Sequence, residues 1–91
     1  MYNLKYSAKF KKDLKKISRN NNLNLLELEC IIDLLADNKN LKIKYQNHKL
    51  KGEFKNCYEC HIKPDVLLIY EIDKKNSVIY FLRLGSHSKL F

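Results

Sequence analysis

The hydrophobic pattern changes period twice along the chain. Tyr2 to Tyr6 alternates apolar and polar residues and reads as a short first strand. From Ser7 onward Phe10, Leu14 and Ile17 recur at helical spacing with lysines between them, and Ser7 is placed to cap that helix. Asn20, Asn21 and Asn22 form a turn cluster. Asn24 followed by Glu27 has the spacing of a capping box, with Asn in place of Ser or Thr. Leu25, Leu28, Ile32 and Leu35 then mark the stripe of a second helix, so the two helices read as a helical hairpin.

Asp37 to Asn47 is polar and lysine-rich and is expected to cross back as an extended segment. After it the strand period returns. Asn56 to Ile62 is a short mixed strand, and Lys63-Pro64-Asp65 a turn. Val66 to Tyr70 is a continuous apolar run, too short for a helix, and reads as a buried central strand. Asp73 to Asn76 forms a hairpin loop, and Val78 to Leu84 a last strand before Gly85 and a polar tail. The order is strand, two helices, then a three-strand antiparallel meander. This predicts a single α+β domain over 1–91, with the helices on one face of a small antiparallel sheet.

Composition narrows the function classes. The 91 residues carry 18 Lys and Arg against 10 Asp and Glu, for a net charge of +8. At 45% hydrophobic the chain is too apolar for disorder. No apolar stretch approaches the roughly 20 residues of a membrane span. The start, Met1 to Lys5, has no secretory apolar region, so a cytoplasmic protein with no membrane partner is expected. Three cysteines, an odd number, do not make a disulfide framework. Residues 1 to 20 hold seven basic side chains against Asp13 alone, residues 21 to 40 are acidic, and lysines return from Leu41 to Lys63. A basic face of this kind suits a polyanion, and equally a solvated surface.

Cys57-Tyr58-Glu59-Cys60-His61 matches the C-x-x-C-H string of haem attachment. On a strand, residues three apart point to opposite faces, so Cys57 and Cys60 diverge. The same geometry weakens a zinc site completed by His48 or His87.

A different set of residues carries a chemistry. On a strand, Cys57, Glu59 and His61 share one face. If the meander joins the C-terminal strands, Glu59, His61, Arg83 and His87 converge, with Asp65 at the turn. Cleaving RNA takes a base for the 2′-OH, an acid for the 5′-oxygen and a cation for the phosphate. Imidazoles and a guanidinium meet those needs, and the internal nucleophile requires no metal or cofactor. The alternative for these residues is a set of surface ion pairs.

The blocks His48-Lys49-Leu50-Lys51-Gly52, Glu59-Cys60-His61-Ile62-Lys63-Pro64-Asp65, Leu67-Leu68-Ile69-Tyr70 and Leu82-Arg83-Leu84-Gly85-Ser86-His87-Ser88-Lys89-Leu90-Phe91 resemble the YafQ-like branch of the RelE/ParE toxin superfamily. The resemblance implies a RelE-like fold and a toxin of a type II toxin–antitoxin module. Such a toxin is a metal-independent endoribonuclease, an mRNA interferase that often acts at the ribosome. It implies that His48, His61, Asp65 and His87 transfer protons or orient substrate, and that Arg83 is the phosphate cation. His87 is then the general acid, His48 or His61 the base, and Asp65 an orienting group or part of the base. Glu59, Lys51 and Phe91 are implied as substrate contacts, Phe91 by stacking or positioning. A cognate antitoxin is the implied partner, with operator DNA bound only by the toxin–antitoxin complex. A ParE-like toxin that binds a protein such as gyrase without chemistry, or a basic nucleic-acid-binding module, would share much of this pattern but has no need of the histidine set.

Overall fold

The computed structural model describes residues 1–19, 24–50 and 56–90. Strand β1 (Asn3–Tyr6) is followed by helices α1 (Ala8–Arg19) and α2 (Leu25–Ala36). A 3-10 turn at Ile43–Tyr45 leads into β2 (His48–Lys49), then β3 (Cys57–Lys63), β4 (Val66–Asp73), β5 (Val78–Gly85) and a final turn of helix, α3 (His87–Leu90). The sheet has five strands in the order β1-β5-β4-β3-β2.

Both caps read from the sequence are present. The Ser7 hydroxyl accepts from the Phe10 N–H at 2.9 Å and donates to the Leu82 carbonyl at 2.8 Å, so the residue that starts α1 also ties it to β5. The Asn24 side-chain oxygen accepts from the N–H groups of Leu26 and Glu27 at the start of α2.

The meander β3-β4-β5 is antiparallel, as the turn signals imply. The sheet as a whole is mixed, because β1 runs parallel to β5, with Asn3 to Tyr6 opposite Val78 to Phe81. A parallel neighbour needs a long crossover, and here everything between β1 and β5 provides it. The Asp37 to Asn47 return is also more structured than an extended crossing. It contains the 3-10 turn, and Gln46 takes a left-handed conformation (φ 46°) that redirects the chain into β2.

One sheet face meets α1 and α2 in a core of Phe10, Leu28, Ile31, Leu35, Tyr45, Cys60, Ile62, Leu68, Tyr70, Ile79, Phe81 and Leu84. The buried stripe of α2 is Leu28, Ile31 and Leu35, while Ile32 is half-buried and Leu25 is exposed. The expected stripe is therefore rotated by a fraction of a turn. An aromatic row, Tyr6–Phe81–Tyr70–Tyr58, crosses the sheet with ring centroids 5.3, 6.3 and 5.5 Å apart. Strand alternation sends Glu59, Leu67 and Ile69 to the opposite face. Among the described residues no helix is long and apolar enough to cross a membrane.

Candidate active site

The expected site begins on β2 and β3. His48 and Glu59 are cross-strand partners, and His48 Nε2 lies 2.9 Å from Glu59 Oε2. The other ring nitrogen, Nδ1, lies 2.7 Å from the Gln46 carbonyl. Both nitrogens of the ring thus face an oxygen, which fixes its orientation. Glu59 is a buried charged residue, 7% exposed. The same carboxylate oxygen stands 3.9 Å from His61 Nε2, and the two imidazole centroids are 6.4 Å apart. His61 Nδ1 approaches the Pro64 carbonyl at 3.4 Å. One carboxylate therefore sits between two imidazoles on the helix-free face, the face that alternation predicts for Glu59 and His61.

The β2 segment needs an anchor, because it is two residues long. The Tyr70 hydroxyl supplies one by donating to Asn47 Oδ1 at 2.6 Å, immediately before His48. Burial is the main influence holding that phenol well above its ordinary value, so it stays a donor.

Arg83 reaches the same face through an irregularity. The β4–β5 register shifts between Ile69 and Tyr70: Tyr70 opposes Phe81, but Ile69 opposes Arg83, so Leu82 is an extra residue. Ile79, Phe81 and Leu84 face the helices. Without the bulge, Arg83 would share the face of Ile79 and Phe81, inside the core. Its guanidinium is held by Asp13 of α1, with Nε 2.8 Å from Oδ2 and Nη2 3.3 Å from Oδ1. Asp13 Oδ2 also accepts from the Leu84 backbone N–H at 3.0 Å. Burial pushes the Asp13 carboxyl up, but Arg83, the Leu84 N–H and Lys16 outweigh it and hold the group below its ordinary value of 3.8. Asp13 in turn raises the guanidinium further. Asp13 is a partner of Arg83 that the sequence reading does not place at the site. Its signal was its isolation, a single acid among seven basic side chains in residues 1 to 20.

Register connects the two groups. Glu59 opposes Ile69, which opposes Arg83, and His61 opposes Leu67, which opposes Gly85. Glu59 and Arg83 are thus two strand spacings apart, roughly 10 Å between backbones. Asp65 is exposed at the β3–β4 turn and lines a cleft of about 370 Å³ with Asp13, Lys16, Arg83, Ser86 and Leu90. His87 is exposed at the first residue of α3, two residues beyond Gly85. His48, Glu59 and His61 are therefore in mutual reach, Asp65 and Arg83 share a cleft, and His87 stands at the end of the His61–Leu67–Gly85 row. Lys51 and Phe91 lie outside the described residues. Cys57 and Cys60 point to opposite faces, as expected of strand positions three apart, and all three cysteines are unpaired. Among the described residues no group of three His, Cys, Asp or Glu side chains is arranged to hold a metal ion.

Comparison with known proteins gives the chain a family and a fold. A family model described as the bacterial toxin of type II toxin–antitoxin system, YafQ, matches residues 2–91. The mRNA interferase toxin YafQ of Escherichia coli K12 is 32% identical over 89 residues, covering 97% of this chain and 94% of that protein. A crystal structure of a metal-bound toxin from Helicobacter pylori superposes with a TM-score of 0.94 at 44% identity, covering all of both chains. YafQ in the E. coli DinJ–YafQ complex superposes with a TM-score of 0.89 at 29% identity, covering 100% of this chain and 99% of that one. With nearly its whole length matched by that model, the chain belongs to the YafQ family of bacterial toxins of type II toxin–antitoxin systems.

Proposed function

We propose that this chain is an mRNA-cleaving toxin that cuts by internal attack of the ribose 2′-OH. The observation that carries the reading is the buried Glu59 carboxylate between His48 and His61, in register with Arg83. A toxin that only binds a protein target has no use for such a group. In the proposed reaction the His48–Glu59–His61 group takes the 2′-OH proton. O2′ attacks the phosphorus, the P–O5′ bond breaks, and His87 gives a proton to O5′. Arg83 donates hydrogen bonds to the phosphate as its charge shifts. Asp65 orients the substrate at the cleft it shares with Arg83. The products are a 2′,3′-cyclic phosphate and a 5′-OH.

The mRNA interferase name of the E. coli relative and the DinJ–YafQ complex support both the substrate and the partner. We assign this chain a cognate antitoxin, encoded by a short neighbouring reading frame, whose acidic segments pair with the +8 surface. Its place of action is the cytoplasm, on mRNA at the ribosome. Primer extension on mRNA after induction is expected to show discrete new 5′ ends, and His87→Ala at equal expression is expected to remove both the ends and the growth arrest. Undiminished cleavage by His87→Ala would overturn its role as the acid.

A further inference from the structure

Arg83 is not a mobile surface cation. Two of its three nitrogens are engaged by one carboxylate, which is also fastened to the main chain of the next residue. The setting explains why a carboxylate is needed there. β1 pairs with β5 only as far as Tyr6 opposite Phe81. Beyond that point α1 takes over the edge: the Ser7 N–H donates to the Phe81 carbonyl, the Ser7 hydroxyl to the Leu82 carbonyl, and Asp13 accepts the Leu84 N–H. The bulge at Leu82 lies inside this stretch. Asp13 therefore meets a backbone donor that would otherwise lack a strand partner, and the guanidinium that the bulge turns outward.

We infer that Asp13 is a positioning residue for the cleavage reaction, locking the Arg83 guanidinium by its Nε edge so that its Nη1 side is presented to the scissile phosphate. Arg has a planar fork of five N–H donors, and using one edge on a carboxylate fixes the direction of the others. Among the described residues no partner meets Nη1. The cleft that holds Asp13 and Arg83 also contains Asp65 and Ser86, which gives a phosphate beside Arg83 a place to sit. Asp13 stays bound through the reaction. It does not compete with the phosphate, because its Oδ2 is shared with the Leu84 main chain.

This rests on the reading of Arg83 as the phosphate cation, and the test separates the two. Cleavage of mRNA programmed on ribosomes is measured for the intact chain, Arg83→Ala, Asp13→Asn, Asp13→Glu and the double variant Asp13→Asn/Arg83→Ala. Asp13→Asn is expected to lower kcat by about 10- to 100-fold with KM little changed, the scale of a misplaced catalytic group. Asp13→Glu is expected to recover part of that loss. The double variant is expected to be no worse than Arg83→Ala alone, because the two residues act as one unit. The Arg83 Nε–H NMR signal, slow to exchange in the intact chain, is expected to exchange rapidly in Asp13→Asn. Full activity in Arg83→Ala would remove the premise. An inactive Arg83→Ala beside a fully active Asp13→Asn would overturn the inference alone. A faster Asp13→Asn would show Asp13 to be an inhibitory competitor. Additive losses in the double variant, or an unchanged Nε–H signal, would reduce Asp13 to a structural tie.

Discussion

Glu59 holds His48 across the sheet edge, with 2.9 Å between Oε2 and Nε2, from a strand of seven residues to a strand of two. The longer strand is paired on both sides and the shorter one lies at the sheet edge, so the carboxylate orients the imidazole. Glu59→Gln keeps the volume and removes the charge. Cleavage is expected to fall roughly 10- to 100-fold, the scale seen when an orienting partner is lost. Thermal melting run beside the cleavage assay should show a folded protein, and full activity would mean that Glu59 does not orient His48.

Tyr70→Phe removes the hydroxyl that anchors Asn47 and leaves the aromatic row in place. The expected cost is about 1 kcal/mol of stability, the net worth of a hydrogen bond. Amide exchange should quicken at His48 and Lys49 while the β4 amides stay protected. Uniform quickening would place the effect in the core instead.

Acid stability should depend on Asp13. Its carboxyl titrates below its ordinary value in the folded chain, so its contribution is complete above that value and is lost as pH falls through the lower folded value. Urea midpoints measured from pH 5 down to pH 2 should fall for the intact chain and fall less steeply for Asp13→Asn. Parallel curves would mean that other carboxylates govern acid unfolding.

The cysteines should react unequally. Cys30 is exposed, whereas Cys57 and Cys60 are buried. Burial, with Glu59 adding to it, pushes the Cys60 thiol up to about 12, and burial also raises Cys57. A thiol reagent under native conditions should modify Cys30 quickly and the other two only on unfolding. Rapid labelling of Cys60 would require an opening of the sheet that the fold does not contain.

Much of this architecture was legible in the chain. Ser7 and Asn24 announced both helix starts because capping is a local interaction between neighbours in sequence. The β3 face carrying Glu59 and His61 followed from a period of two. The parallel β1–β5 pairing was not legible, since nothing in five alternating residues tells Asn3 that Val78 will be its neighbour. Asp13 was hidden for the same reason: its partners lie 70 and 71 positions away. The α2 stripe shifted because Leu25, Ile31 and Ile32 are all apolar, and packing rather than pattern selected Ile31.

The extra residue at Leu82 divides one strand between two tasks. Up to Phe81 the odd-numbered positions face the helices, and beyond the bulge Leu84 takes that face while Arg83 turns away from it. Were Leu82 instead to pair regularly with Ile69, the strand end would turn over, carrying a guanidinium under α1 and a leucine into water. That damage would come from phase rather than from chemistry, so no substitution at Arg83 could repair it, whereas removing Leu82 outright would leave Arg83 opposite Ile69 and Leu84 opposite Leu68.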